Sequence, residues 1–392
     1  MSTQSRIIPI TKKIKVVSKN RIEYNDIQKF VYPFNAVLTL VFCSKYSICK
    51  DNITPRGIKY CIYIFLGIFS AITVTSIRMS LMIAYYYKTN ETQDPLIIFL
   101  TIYLPGLNLA SFITACITNI TNGKRNVLLI KMIQNINADV AFGEIRSFII
   151  WSWVSLMMVI CVETAVYISG SSYLGFISIL GGYSEIIFSM IDVDFVYTIR
   201  LQLLLTKYLE KWILKVQFAT FEGVNEDSYF KKIFETYTNI LKAYDLFNTV
   251  SKSLIMFRVI NAFCRNLGDF QLMLCFVTKW NNVVFRTNFM AVVVVILAIA
   301  KMTLIIMVHS RYSEKFNMTV EDASLACIVR MKNPYCSKVE KQFCKNILRE
   351  NATFSKMTAC GLFYIDGRLP LSLLGFLTQY FVALLQFARL RY

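Results

Sequence analysis

Residues 355–392 read SKMTACGLFYIDGRLPLSLLGFLTQYFVALLQFARLRY. The stretch is apolar and long enough to cross a bilayer as a helix, which takes about 20 residues. Proline lacks a backbone donor and disfavours helix at the residue before it, so a helical span over 355–388 is expected to divide near Gly367 and Pro370. Beyond the break Ser372, Gln379 and Gln386 recur every seven residues, close to two helical turns. Gly375 and Ala383 lie near the same face, with Leu374, Leu377, Phe381 and Leu384 opposite. Such a polar stripe lines a water-filled pore when several copies surround one axis, or it mediates close helix packing through hydrogen bonds. Spacing alone leaves both readings open.

Working outward, six further apolar stretches fall at 59–87, 95–120, 148–170, 174–205, 253–278 and 286–309. The whole chain of 392 residues is 56% hydrophobic and only 17% charged, too little polar surface for a water-soluble globule of this size. That excludes the ordinary soluble enzymes. The expected fold class is all-α: a polytopic membrane protein with seven transmembrane helices. An eighth stretch, IQKFVYPFNAVLTLVFCSK at 27–45, is shorter and interrupted by Pro33, and is expected to be interfacial or re-entrant. No removable signal peptide is evident in the basic first 26 residues.

A formal charge of +18 raises the question of nucleic acid, and the placement of the basic residues answers it. They fall between the apolar stretches rather than in one patch, which argues against nucleic-acid binding. Of the 42 Lys and Arg, 29 lie before the first span or in the second, fourth and sixth loops, and 5 on the opposite side. The positive-inside rule then puts the N-terminus in the cytoplasm and the C-terminus outside. The expected division is a cytoplasmic N-terminal segment at 1–58, transmembrane helices 1 to 4 at 59–205, and cytoplasmic helical extensions at 206–252. Transmembrane helices 5 and 6 follow at 253–309, then a cytoplasmic anchor at 310–354 and helix 7 at 355–392. The two long cytoplasmic loops mix apolar and charged residues at helical spacing, so they are expected to pack together as helix extensions. Of five glycosylation sequons, only that at Asn90 falls in an outside loop.

The one histidine, His309, cannot build the sites of membrane acyltransferases or metal-dependent oxidases by itself. Beside Ser310 and Arg311 at a span end, it reads as an interfacial, solvated side chain. Cys327, Cys336 and Cys344 lack a CxxC spacing, so no metal site is expected. Acidic groups inside spans are costly and mark a polar cavity or a partner. Glu163, Glu185 and Asp269 are of this kind, and Arg265, one turn before Asp269, is a natural counter-ion. An internal ion pair and a ligand contact both fit them.

The run QYFVALLQF, Gln379 to Phe387, resembles the last-helix signature of the insect gustatory receptor family: Thr-Tyr, five mainly apolar residues, then Gln-Phe. Tyr380, Gln386 and Phe387 match, and Gln379 stands where the family has Thr. The run TACGLFYID, Thr358 to Asp366, is similar to the stretch that precedes the signature. The resemblance implies a tastant-gated, non-selective cation channel of the plasma membrane, tetrameric or heteromeric with related receptors, with no enzymatic step and no cofactor. Carried onto this chain, Gln386 and Phe387 narrow the pore, Ala383 faces it one turn deeper, and Tyr380 braces the helix. Gln379 is the departure that bears on gating. The family's ligand pocket in the outer half of the bundle implies Tyr103, Trp153, Glu163, Tyr167, Tyr173, Tyr183, Asp269, Phe270, Gln271, Asn288 and Phe289 as candidates, with membrane lipid as the surrounding partner. The missing Thr favours a bitter or other plant-derived tastant, with a sugar such as fructose as the alternative. A G-protein-coupled receptor would need the reverse orientation. A transporter would be expected to show matched halves with broken helices, which the chain lacks.

Overall fold

A computed structural model describes residues 26–49, 52–89, 95–140, 143–171, 176–218, 226–278 and 285–391. A first helix, α1, covers 26–40. The hairpin strands β1 (Ser47–Cys49) and β2 (Asn52–Thr54) follow, then α2 (Ile58–Thr89), α3 (Pro95–Thr121), α4 (Gly123–Val140) and α5 (Ile145–Ser171). Three very long helices come next, α6 (Phe176–Gln217), α7 (Glu226–Thr278) and α8 (Phe285–Met331). The chain closes with α9 (Lys338–Thr353), a second small hairpin of β3 (Thr358–Ala359) and β4 (Phe363–Tyr364), and α10 (Leu369–Arg391).

Among the described residues, α2, α3, α5, α8 and α10 are long and apolar enough to cross a membrane. The chain is an all-α, multi-pass membrane protein. The sequence count of seven also includes α6 and α7. Both carry charges within their apolar parts, Asp192, Asp194 and Arg200 in α6 and Arg258, Arg265 and Asp269 in α7, and both include side chains outside the described residues.

At 42, 53 and 47 residues, α6, α7 and α8 are each about twice the length a bilayer requires. The surplus turns pack on one another and on α9. Trp212 of α6 lies 4.4 Å from the ring of Tyr237 of α7 and 6.4 Å from Phe343 of α9, and its Nε1 donates to the Ile233 carbonyl at 2.9 Å. Tyr244 of α7 stacks on Phe316 of α8 at 3.9 Å. The start of α9 is set locally: Ser337 accepts from the Glu340 amide at 3.1 Å, the Ser-x-x-Glu pattern of a capped N-terminus. Arg330 of α8 pairs with Glu340.

Glu210 ties α6 to α8 within this layer. Burial alone would raise its carboxyl, but Lys207 at 2.7 Å and Lys315 at 2.9 Å outweigh that and hold it below the ordinary carboxylate value. The pair's stabilisation is then fully present above that ordinary value and is lost as pH falls through the depressed one. Glu210→Gln is expected to flatten the acid limb of a melting-temperature profile against pH and to leave the neutral region little changed. An acid limb identical to wild type would remove Glu210 from the linkage.

The stretch at 27–45, expected to be interfacial or re-entrant, forms a helix over 26–40. The helix runs through Pro33 and buries Ile27, Phe30, Val31, Phe34 and Leu38 in the bundle, at helical i, i+3, i+4 spacing. Lys45, just beyond it, is buried against Asp194 of α6 at 2.7 Å. The stretch at 355–388 is not one broken helix: 354–368 is a turn with the β3–β4 pair, and α10 begins at Leu369. Asp366 accepts from the Arg368 amide at 3.0 Å and Pro370 sits in the first turn, where its missing N–H costs nothing. Nor is His309 solvated. It is buried with its ring 4.9 Å from Phe195, because α8 continues past the apolar stretch and keeps that face inside.

The end of α1 explains one glycine. Cys43 N–H bonds to the Leu38 carbonyl at 2.7 Å and Phe42 N–H to Thr39 at 3.3 Å, a Schellman cap with Phe42 in the left-handed position at φ 64°. A Cβ on Gly67 of α2 would overlap the Cβ of Phe42. Gly67→Ala is therefore expected to destabilise the protein by about 1–3 kcal/mol through overpacking. An unchanged thermal midpoint would show that the turn can move aside freely.

Candidate functional site

α10 presents two unlike faces. Pro370, Leu373 and Leu377 are buried against the bundle, and Phe381 of α10 stacks on Phe270 of α7 at 3.6 Å. Ser372, Gly375, Gln379 and Gln386 are exposed on the other side, with Ala383 half-buried between them. Tyr380 is exposed too, its ring edge-on to Phe263 of α7 at 5.9 Å. Two amides and a hydroxyl thus stand along the outer face of a largely apolar helix. A polar group held in hydrocarbon without a partner costs several kcal/mol, by order of magnitude. The stripe therefore calls for water or for another chain.

Inside the bundle, four helices meet through charge. Arg258 of α7 pairs with Asp192 of α6, and Lys301 of α8 bridges Asp192 at 2.9 Å and Glu163 of α5 at 2.5 Å. Two acids and two bases balance, which is how charge is tolerated at this depth. Two turns along α7, Arg265 reaches Asp269 at 3.6 Å and donates to Asn108 of α3 at 3.1 Å. Beside that pair lies a cavity of about 260 Å³ among α2, α3, α6 and α7, lined by Arg78, Met82, Leu104, Asn108, Phe188 and Arg265. Arg78 crosses it to donate to Ser184 at 2.8 Å.

The residues expected to bind ligand are not gathered in one pocket. Asp269 and Phe270 are buried on α7 near the cavity, and Gln271 is half-buried beside them. Tyr103 is half-buried, stacked on Phe99 at 5.3 Å. Tyr183 is exposed and reaches Ser70 at 3.4 Å. Glu163 belongs to the ion network, and Trp153 faces outward, 44% exposed. Tyr173 and Asn90 lie outside the described residues, as do the side chains of Tyr167, Glu185, Asn288, Phe289 and Phe387. Sequence reasoning missed Arg78, Asn108, Asp192, Arg258 and Lys301. The signal for the four charged ones was present, a charge inside an apolar run, but the pairing joins positions 66 and 138 residues apart. No group of three or more His, Cys, Asp or Glu able to hold a metal ion occurs among the described residues.

No protein-family profile matches the sequence, and no curated protein does. The fold is similar to that of the insect olfactory receptor OR5 from Machilis hrabei. Its structure matches with a TM-score of 0.68, and its complex with eugenol with 0.67. Each is 10% identical over 93% of this chain and 99% of the other. At that identity the likeness establishes a shared fold.

Proposed function

We propose that the chain is a subunit of a ligand-gated, non-selective cation channel of the gustatory kind, resident in the plasma membrane and opened by a bitter or other plant-derived compound. The observation that carries this reading is the outward-facing polar stripe of α10. In one subunit alone it faces hydrocarbon; around the axis of a tetramer it faces water. The fold shared with OR5, whose complex holds eugenol, supports a receptor that takes a small organic ligand. In this reading α6 and α7 complete seven spans, the N-terminus is cytoplasmic, and the packed ends of α6, α7, α8 and α9 form the anchor below the membrane.

In this reading the ligand acts on the gate through α7. On α7 the cavity is lined by Arg265 and Leu272, the latter two residues from Phe270, which stacks on Phe381 of α10. A ligand that rotates this part of α7 shifts α10, and Gln379, Ala383, Gln386 and Phe387 move with it. Tyr103, Trp153, Tyr167, Tyr173, Tyr183, Asn288 and Phe289 stay candidates for the wall of the pocket. Phe270→Ala is expected to raise the half-maximal ligand concentration about tenfold, a loss of roughly 1.4 kcal/mol of coupling. An unshifted dose curve would take the Phe270–Phe381 stack out of the gating path.

The test of the whole reading is current. Cells expressing the chain, challenged with panels of plant alkaloids, phenolics and sugars, are expected to show ligand-evoked cation current that survives G-protein blockade. A tag after Tyr392 is expected to stain on intact cells and a tag before Met1 only after permeabilisation. A surface-expressed protein with the N-terminal tag outside would overturn the topology and the channel reading with it.

A further inference from the structure

We propose that the cleft among α5, α6 and α8 is a binding site for an anionic phospholipid, one acyl chain lying in the cleft and the phosphate held by Arg200. The proposal is independent of the channel reading. The cleft has a volume of about 280 Å³ and is walled by Met158, Val159, Val162, Leu304, Ile305 and Val308. Its mouth opens sideways from the bundle, with Met158 66% and Leu304 57% exposed on membrane-spanning helices. Whatever fills it comes from the lipid phase.

The two ends differ in charge balance. At one end Lys301 and Asp192 are satisfied by each other and by Glu163 and Arg258. At the other stand Arg200 and Tyr312. Arg200 lies over the Phe148 ring at 4.9 Å and donates one nitrogen to the Phe148 carbonyl at 3.0 Å. Its Nε is buried with no hydrogen-bond partner, and no carboxylate among the described residues pairs with it. Phe148 is in the first turn of α5, so this guanidinium sits where the span meets the polar layer on the side of the helix extensions. An unpaired cation in that position calls for an anion, and a fork of N–H donors suits a phosphate.

Length agrees with the occupant. From Tyr312 to Lys301 along α8 is about 16 Å at helical rise, about half of a hydrocarbon core of roughly 30 Å. That is the depth of one leaflet's chains. A small inorganic anion would need only the Arg200 end and would leave the apolar cleft unexplained.

The test is native mass spectrometry of the detergent-purified full chain, offered phosphatidylglycerol, phosphatidylcholine or oleate. Wild type is expected to retain phosphatidylglycerol at least tenfold over phosphatidylcholine. Arg200→Gln is expected to remove that preference, and Arg200→Lys to keep part of it. Leu304→Trp narrows the cleft from a side chain that faces lipid and is expected to reduce phosphatidylglycerol retention at least fivefold while Arg200 is intact. It gives an independent answer if Arg200→Gln fails to fold. Equal retention of the two phospholipids, a preference that survives Arg200→Gln, or unchanged retention in Leu304→Trp would overturn the proposal. Displacement of phosphatidylglycerol by an equal concentration of oleate would overturn the phospholipid in favour of a free fatty acid.

Discussion

Asp192→Ala is expected to leave the protein largely misfolded, with loss of the monodisperse species on size exclusion and of surface expression. The side chains of Asp192 and Arg258 are 4% and 2% exposed. Removing the acid strands a guanidinium inside the bundle, and breaking a buried pair from one side costs about 3–5 kcal/mol. That is a large share of the roughly 5–15 kcal/mol typical of total stability. Lys301 suffers less, because Glu163 still holds it at 2.5 Å. The decisive control removes both charges: Asp192→Leu with Arg258→Met has no stranded ion and is expected to recover most of the folded fraction. Asp192→Asn, which can still accept a hydrogen bond, is expected to fall between. If the double variant is no better than Asp192→Ala, the network is held by something other than this pair.

The same network shows where sequence reading succeeds and where it stops. Apolar runs of span length fall on α2, α3, α5, α8 and α10, because a lipid-crossing helix is written locally in consecutive residues. The Arg265–Asp269 pair was also legible, since four residues are one turn. Asp192, Arg258 and Lys301 each stand in an apolar run, yet nothing local says that α6, α7 and α8 turn these positions toward one another. The packing of the helix at 26–40 was not legible for a related reason. Its apolar face suits either a bilayer surface or a protein interior, and only Asp194, far along the chain, decides by receiving Lys45. The two faces of α10 follow the sequence pattern in part: Gln379 and Gln386 are out, Leu377 is buried and Phe381 and Leu384 half-buried, but Leu374 is exposed and Leu373 takes the inward place. What faces that outer side is a property of the assembly, which the heptad spacing of polar residues suggests and the single chain does not contain.

That stripe carries the last expected result: Gln386→Lys should suppress cation current to the limit of detection while surface expression stays near wild type. Gln386 is exposed in the subunit, so the change removes no buried contact and no large stability loss is expected. In a fourfold assembly it places four ammonium groups around one axis. At a separation of about 5 Å and the dielectric of water, each repels a monovalent cation by about 0.8 kcal/mol, so four contribute about 3 kcal/mol. That lowers occupancy of the constriction roughly a hundredfold, more where the pore is narrower and drier. Gln386→Glu reverses the sign and is expected to raise cation conductance and the preference for divalent over monovalent ions. The opposed pair of variants separates a pore-lining side chain from a merely structural one, since a packing defect would push both in the same direction. Should both variants reduce current alike, or leave it untouched, Gln386 does not face the permeation path, and the polar stripe of α10 would then be a seam between helices.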